Sequence, residues 1–157
     1  MEQSATTSCT AGHVQILSQD DQIIGIRFVE NTESPADNPN PVLEDCLAQL
    51  QQYLRGDRKA FDSLPLKYQA TDFQNNVWDA VSAIPYGETA TYADIAERIG
   101  QPDAVRAVGT AIGKNPFCIL VPCHRIVPKT GGVGEYAWGS WRKQWLLDME
   151  GAIIEKG

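Results

Sequence analysis

Residues 71–112 carry the clearest structural pattern in the chain and read TDFQNNVWDAVSAIPYGETATYADIAERIGQPDAVRAVGTAI. Apolar residues recur there at helical spacing in three segments, separated by Pro85-Tyr86-Gly87 and by Gly100-Gln101-Pro102. Thr71-x-x-Gln74 has the pattern of a capping box, which marks the start of a helix. The sequence therefore predicts three short helices joined by tight turns.

The second and third of these helices form a pair around the turn at Gly100. Thr91-x-x-Asp94 is expected to start the second helix, and Asp103 is expected to cap the third. Two short helices joined by a glycine-containing turn are typical of a helix-turn-helix, although an ordinary packed pair has the same pattern. The predicted inner faces are Tyr92, Ile95, Ala96 and Ile99 on the second helix and Val105, Val108 and Ile112 on the third.

The net charge of −7 disfavours binding of nucleic acid by the chain as a whole, but the charge is unevenly spread. Residues 1–70 have a net charge of −5, whereas residues 98–143 contain seven basic and two acidic residues. Arg106 lies in the basic stretch and points about 130° away from the inner face of its helix. It is therefore either a solvated arginine or a contact to DNA phosphate or bases.

The first part of the chain has a different pattern. Residues 14–29 are typical of strand interrupted by a turn at residues 19–22, and a loop with three prolines follows. Leucines then recur at helical spacing before Gly56, which is expected to end the helix. The sequence thus predicts an α+β fold with two domains, residues 1–70 and residues 71–157. The leucines are Leu43, Leu47, Leu50 and Leu54.

Composition excludes several classes of protein. No apolar run approaches the length needed to span a bilayer, and the N-terminus lacks the basic and apolar regions of a signal peptide. A cytoplasmic protein without membrane association is therefore expected. The four cysteines show no C-x-x-C spacing, and Cys9 with His13 offers only two ligands, so neither a metal nor a cofactor is predicted.

Cys123 is the candidate nucleophile. The apolar run at residues 117–121 is expected to form a buried strand that leads into Pro122-Cys123-His124-Arg125. A thiol must lose its proton to attack, and a nearby base or positive charge favours that loss. Because neighbouring residues on a strand point to opposite faces, we expect a water to relay the proton from Cys123 to His124.

The last predicted helix supplies a candidate partner for His124. Glu150 lies in its last turn, where a carboxylate opposes the helix dipole at a cost of about 0.3–1 kcal/mol. Orienting His124 would explain this placement, and a surface glutamate is the alternative. A glycine-rich loop precedes this helix, and Gly151 is expected to cap its end. Its apolar stripe is predicted to be Trp141, Trp145 and Met149.

Pro122-Cys123-His124-Arg125-Ile126 resembles the active-site signature of the O6-alkylguanine-DNA alkyltransferases. The resemblance is strong over residues 71–151 and weak over the first 70 residues. The other segments that resemble the family, in its order and spacing, are Gly87-Glu-Thr-Ala-Thr-Tyr92, Ala104-Val-Arg106-Ala-Val-Gly109, Asn115-Pro116, Gly134-Glu-Tyr136 and Leu146-Leu-Asp-Met-Glu150-Gly151.

This resemblance implies a fold and an activity. The fold would combine a ribonuclease-H-like N-terminal domain with a winged helix-turn-helix-like C-terminal domain. The activity would be DNA repair by irreversible, single-turnover transfer of an alkyl group from O6-alkylguanine in duplex DNA to Cys123, after base flipping. O4-alkylthymine is a second possible substrate. The resemblance also implies a monomer that binds DNA through the minor groove without a cofactor.

The family's residue roles extend to matching positions of this sequence. Cys123 would be the acceptor, His124 its base through a water, Glu150 the residue that holds the histidine, and Asn115 a bridge between the helix-turn-helix and the active-site strand. Tyr92 would protonate the departing guanine at N3, or would be a core aromatic if the family role does not apply. The expected DNA and substrate contacts are Arg106, which would fill the gap left by the flipped base, with Tyr92, Ala107, Gly109, Ile126, Lys129, Tyr136, Ala137 and Trp138.

One departure from some relatives concerns substrate size. Trp138 stands where some members of the family have glycine, and it is predicted to narrow the alkyl pocket and disfavour large adducts such as benzyl. Three other functions compete with repair: a non-catalytic lesion-binding relative, a DNA-binding regulator, and a Cys–His hydrolase. The presence of Cys123 argues against the first, because that group carries tryptophan at this position. A hydrolase would need an oxyanion hole and would turn over.

Overall fold

The computed structural model describes residues 2–154, which divide into two units. The first contains residues 2–68 together with Pro116–Cys118, and the second contains residues 69–115 and 119–154. The sequence placed all of residues 71–157 in one domain, whereas the structure groups Pro116–Cys118 with the N-terminal sheet. No helix within residues 2–154 is long and apolar enough to cross a membrane.

The first unit is built on a three-stranded antiparallel sheet. Its strands are β1 (Glu2–Cys9), β2 (Gly12–Gln19) and β3 (Gln22–Val29), which pair in chain order. The predicted strands and turn of residues 14–29 are confirmed as β2 and β3. Strand β1 was not predicted, because its sequence EQSATTSC has no apolar alternation; it pairs with β2 along its whole length.

One helix packs on this sheet. Helix α1 (Pro41–Leu54) begins where the Asn40 side chain accepts a hydrogen bond from the Leu43 amide at 2.8 Å, and Gly56 follows its end with a φ of +82°. The predicted helix and its stop are thus confirmed. Pro116–Cys118 lies beside β3, since the Ile26 amide donates to the Pro116 carbonyl at 3.0 Å and the Cys118 amide donates to the Ile26 carbonyl at 3.2 Å.

The second unit is mainly helical. Its helices are α2 (Asp72–Ser82), α3 (Tyr92–Arg98), α4 (Val105–Gly113) and α5 (Ser140–Glu150). The capping box predicted at Thr71 is confirmed, and Thr91 starts the next helix as predicted, because each threonine exchanges hydrogen bonds with the third residue of the helix that follows. Two short strands, β4 (Ala90–Thr91) and β5 (Ile126–Val127), pair in parallel and bring the start of α3 next to the segment after Cys123.

Two expectations about α4 are wrong. Its N-cap is Ala104 without a side-chain hydrogen bond, so Asp103 does not cap it. Val105 is 38% exposed, although Val108 and Ile112 are buried as predicted. The helix starts one residue later than a cap at Asp103 would require, and Val105 therefore lies in the first turn at the surface.

The apolar run before Cys123 is buried, but it is not the expected strand. Phe117 forms a single bridge to Ile26, and the chain then turns through Ile119, whose φ is +71°. Cys123–Arg125 forms one turn of 3-10 helix. The alternation of side chains that a strand imposes does not apply to Cys123 and His124, because a 3-10 turn separates successive side chains by about a third of a turn.

Helix α5 buries a different face from the predicted one. Trp141 is 56% exposed, and Trp145 and Met149 are half-buried. Gly151 ends the helix with a φ of +75°, as predicted. The apolar pattern predicted the wrong buried face because two of the four buried residues on this helix are charged. The buried residues are Lys143, Leu146, Leu147 and Glu150.

Candidate active site

Cys123 lies in a cavity of about 430 Å³ at the start of the 3-10 turn. Asn115, two residues beyond α4, donates through Nδ2 to the Cys123 sulfur at 3.4 Å and to the Val121 carbonyl at 2.9 Å. This amide therefore links the end of α4 to the segment that carries the thiol.

The charge state of the thiol is set by opposing effects. Burial raises the pKa of Cys123, whereas the Asn115 hydrogen bond and the positive charge of Lys143 lower it. Burial outweighs the other effects, because the net shift is upward. A base that removes the proton during the reaction is therefore needed at neutral pH.

His124 is fully buried, and its Nε2 lies 2.8 Å from Oε2 of Glu150. Burial lowers the pKa of His124, and the hydrogen bond and charge of Glu150 oppose that shift without reversing it. The imidazole is thus neutral near pH 7. Because a carboxylate accepts hydrogen bonds but does not donate them, Nε2 carries the ring proton and Nδ1 carries the basic lone pair.

Arg125, for which no contact was predicted, completes the environment of Glu150. Its Nε and Nη2 each donate to a different carboxylate oxygen of Glu150 at 2.9 Å, and its Nη1 donates to the Ile84 carbonyl at 2.7 Å. Two buried partners explain why a carboxylate is tolerated in the last turn of α5. The available signal was the position of Arg125 next to His124, which places two groups that can bind a carboxylate in one short segment.

Tyr92 and the loop before α5 also line the cavity of Cys123. Burial raises the pKa of Tyr92, and the nearby charges of Cys123 and Glu135 raise it further, so its phenol stays protonated. Tyr136 and Ala137 line the same cavity, but Trp138 does not. Ala137 occupies the wall beside Tyr136, and the narrowing of the alkyl pocket by Trp138 stays a prediction.

Two models of one protein family together match most of the described residues. The family model for the DNA-binding domain of 6-O-methylguanine DNA methyltransferase matches residues 72–152, and the model for the ribonuclease-like domain of the same family matches residues 4–68. The chain belongs to this family.

Individual alkyltransferases are similar over most of the chain. The constitutive methylated-DNA–protein-cysteine methyltransferase of Bacillus subtilis is 46% identical and covers 85% of this chain and 79% of its own length. A probable methylated-DNA–protein-cysteine methyltransferase of Acanthamoeba polyphaga mimivirus is 43% identical, with coverages of 88% and 90%.

Solved structures of this family agree with the fold. The O6-methylguanine methyltransferase of Mycobacterium tuberculosis superposes with a TM-score of 0.82 at 37% identity, covering 96% of this chain and 93% of that chain. The crystal structure of the Mycobacterium tuberculosis protein in complex with DNA superposes with a TM-score of 0.81 at 38% identity, with coverages of 94% and 92%.

The remaining residues that were predicted to contact DNA or substrate differ in how exposed they are. Arg106 is exposed on α4 and lines, with Tyr92 and Gly109, a second cavity of about 510 Å³. Ala107 is exposed on the same helix. Lys129 is exposed beside a third cavity. The side chain of Ile126 is fully buried in β5, so only its backbone is available to a ligand.

Lys143 is a second residue that the sequence analysis did not single out. It is buried on α5, and its Nζ donates to the Glu135 carbonyl at 3.0 Å. Burial lowers its pKa to about 8, against the opposing charges of Cys123 and Glu135. Within residues 2–154, no group of three or more His, Cys, Asp or Glu side chains is placed to hold a metal ion.

Proposed function

We propose that this alkyltransferase repairs O6-alkylguanine in duplex DNA by moving the alkyl group to Cys123, once per molecule. The observation that carries the proposal is the position of Cys123 in a cavity walled by Tyr92, with Asn115 bound to its sulfur. Cys46 and Cys118 are buried, and Cys9 lies on the N-terminal sheet. Cys123 is thus the cysteine whose surroundings favour a role as the nucleophile.

The reaction is a displacement at the alkyl carbon. The thiol proton passes to Nδ1 of His124 through a water, and the sulfur attacks the carbon from the side opposite the guanine oxygen. An S–C bond forms as the C–O6 bond breaks, and the electron pair goes to the guanine. Glu150 stabilises the imidazolium that forms, through its hydrogen bond to Nε2.

Tyr92 assists the leaving group. Its phenol is protonated at neutral pH and faces the cavity that holds Cys123. Donation of this proton to N3 lets the base depart as neutral guanine, and the proton taken up by His124 then returns to the tyrosine. The net exchange is one alkyl group from guanine to sulfur and one proton from sulfur to guanine.

Access to the alkyl carbon requires the nucleotide to leave the base stack, at a cost of a few kcal/mol. We infer that α4 enters the minor groove with Arg106 directed at the gap, which offsets part of this cost. Arg106 is exposed, and its cavity shares Tyr92 and Gly109 with the cavity of Cys123. Ala107 and Lys129 would contact the backbone of the duplex, and one monomer would act on one lesion.

A single mass measurement tests the proposal. Duplex DNA carrying O6-methylguanine is mixed with the protein, and the protein is then digested and its peptides weighed. One added methyl group on Cys123 is expected, with no adduct in Cys123→Ala and an undiminished adduct in the matched Cys9→Ala variant. A methyl group on another residue, or intact DNA binding without any adduct, would overturn the proposal.

A further inference from the structure

Trp141 is a large apolar side chain that the fold leaves at the surface. It is the second residue of α5 and is 56% exposed. A single exposed tryptophan is ordinary on a protein surface. This one differs in two ways, because it lies against a residue that lines the cavity of Cys123 and because a neighbouring cation holds its ring.

The indole of Trp141 lies against the rim of the cavity at Gly139. Gly139 lines the cavity of Cys123, and a Cβ built on it would lie 3.2 Å from both Cδ1 and Nε1 of Trp141. The φ of Gly139 is +101°, a conformation that glycine adopts without strain. The edge of the indole therefore packs directly on the backbone of the cavity wall.

Arg142 holds the indole in this position. The carbon of its guanidinium lies 4.4 Å from the centroid of the Trp141 ring, within the range of a cation–π contact. Nη1 of the same guanidinium donates to the Trp138 carbonyl at 2.8 Å. The guanidinium is thus tied to the loop before α5 while it covers part of the ring. What stays exposed is an aromatic surface whose position is fixed before any ligand arrives.

The two overlapping cavities show which end of the site adjoins Trp141. The cavity of Arg106 and the cavity of Cys123 share Tyr92, Gly109 and Glu135, and this shared end faces the proposed DNA surface. The other end is marked by residues that line the cavity of Cys123 but not that of Arg106. Besides Cys123 these are Ile112, Gly113, Tyr136, Ala137, Gly139 and Ser140.

The end of the cavity away from Arg106 is open to solvent. Gly113, Ala137 and Ser140 lie there and are exposed. A long substituent on the guanine oxygen, with its first carbon at Cys123, can therefore leave the cavity at this end. Because Trp141 directly follows Ser140, a substituent that passes this rim meets the indole.

We propose that Trp141 and Arg142 form an outer subsite for the aromatic end of a long O6 substituent. A flat ring that passes the rim packs on the exposed part of the indole, and Arg142 holds the indole in place for it. A methyl group does not reach this subsite, so Trp141 is a residue that determines specificity for long aryl adducts. The subsite rests on the proposed transfer to Cys123, since the adduct extends to it from that sulfur.

The first test uses no DNA and detects the contact directly. Cys123 is alkylated with 4-phenylbenzyl bromide or with 4-cyclohexylbenzyl bromide, which has the same reach but lacks the second aromatic ring. A Cys9→Ser background removes the half-exposed cysteine of the first unit, and peptide mass spectrometry verifies a single adduct on Cys123. The NMR signal of the Trp141 indole N–H, assigned by its loss in Trp141→Phe, is then compared between the two adducts.

A ring stacked on the indole shifts this signal through its ring current. The shift from the unalkylated protein is expected to be severalfold larger with the phenylbenzyl adduct than with the cyclohexylbenzyl adduct. Equal shifts with the two adducts, or no shift with either, would overturn the outer subsite.

The second test measures selectivity in the transfer itself. Single-turnover rates are measured with duplexes that carry O6-(4-phenylbenzyl)guanine or O6-(4-cyclohexylbenzyl)guanine, and the ratio of the two rates cancels any general loss of activity or stability in a variant. The ratio is expected to fall about threefold to tenfold in Trp141→Ala and to be largely retained in Trp141→Phe. Arg142→Ala is expected to lower it by a smaller factor, because the indole is then no longer held.

The control for the second test is Gln144→Ala, which changes an exposed residue on the same helix and is expected to keep the wild-type ratio. A ratio that is unchanged in Trp141→Ala, or that falls equally in Gln144→Ala, would refute the role of Trp141.

The two proposals fail in different ways. If methylated DNA places no methyl group on Cys123 while the phenylbenzyl adduct still shifts the Trp141 signal, the repair function is wrong and the contact at Trp141 stands. If Cys123 accepts the methyl group while neither the signal nor the rate ratio responds to the second ring, the function stands and the outer subsite is wrong.

Discussion

Nε2 of His124 and Oε2 of Glu150 lie 2.8 Å apart inside the protein, with both side chains fully buried. The same carboxylate is held on its other side by the guanidinium of Arg125. The arrangement fixes the tautomer of the imidazole, because the nitrogen that faces a carboxylate must carry the proton. The carboxylate thus balances the charge of Arg125 and orients His124, so its removal affects stability and activity together.

Glu150→Gln is expected to lower both the stability of the protein and its rate of methyl transfer. The buried guanidinium of Arg125 loses its counter-charge, and breaking a buried pair typically costs about 3–5 kcal/mol of the free energy of unfolding. The amide can also hold His124 in the wrong tautomer, so methyl transfer is expected to slow by about 10²-fold or more. Urea unfolding and single-turnover transfer measure the two effects. Asp148→Asn, an exposed change on the same helix, is the control and should alter stability by no more than about 0.5 kcal/mol. Equal behaviour of the two variants would contradict this account.

The burial of neutral His124 predicts a loss of stability in acid. Because its pKa in the folded protein is below the ordinary histidine value of about 6.5, the unfolded chain takes up a proton at a higher pH than the folded protein does. Stability should therefore fall as the pH drops below about 6.5, by up to about 1.4 kcal/mol per pH unit, until the folded pKa is passed. Denaturant unfolding between about pH 5 and 8 measures this change in the free energy of unfolding. His124→Asn should flatten this part of the profile, whereas His13→Asn should retain it; a profile unaffected by His124→Asn would speak against the assignment.

Asn115→Ala is expected to slow the reaction of the thiol. The variant removes the hydrogen bond to the sulfur that lowers the pKa of Cys123, and it leaves the Val121 carbonyl without this donor. Modification of Cys123 by iodoacetamide at neutral pH should fall severalfold, and the free energy of unfolding should drop by about 1–2 kcal/mol. The exposed helical residue Asn76 supplies the control Asn76→Ala. An unchanged reactivity of Cys123 would show that the amide does not tune the thiol.

Adduct size should depend on Ala137 rather than on Trp138. Ala137 lines the cavity of Cys123, and Trp138 does not. Ala137→Leu is expected to slow transfer of benzyl about tenfold more than transfer of methyl, because the larger side chain fills space that the ring needs. Trp138→Gly should leave the ratio of the two rates unchanged. Rates with duplexes carrying O6-methylguanine or O6-benzylguanine decide the matter, and a selective gain of benzyl transfer in Trp138→Gly would restore the role that the sequence assigned to Trp138.

Methylation of Cys123 should loosen the fold. The thioether displaces neighbouring atoms, which typically costs about 1–3 kcal/mol in a packed site. The unfolding temperature of the methylated protein is expected to lie below that of the free protein. Cys123→Ala exposed to the same methylated DNA is the control and should not change. An equal or higher unfolding temperature after methylation would be evidence against this prediction.

Much of the fold follows from local pattern. The capping boxes at Thr71 and Thr91 and the glycine at 151 mark where helices begin and end, because they satisfy backbone groups within a few residues. The family resemblance predicted that Cys123, His124 and Glu150 share one site. The strand predicted before Cys123 is wrong because local pattern alone does not decide how an apolar run is buried. Part of this run belongs to the first unit, and the rest turns at Ile119.

The sequence by itself determined where the helices lie, the caps at Thr71, Thr91 and Gly151, and the chemistry available at Cys123 and His124. Only the tertiary structure decided which charges are buried: Arg125 and Lys143 looked like ordinary surface charges in the linear pattern, and for Glu150 a surface position remained the alternative. Arg125 and Glu150 are 25 positions apart in the chain, and no spacing rule links residues at that distance. Their meeting depends on the path of the chain through the whole unit. A buried charge is stable only where that path supplies its partners, and for this reason the site could be completed only in three dimensions.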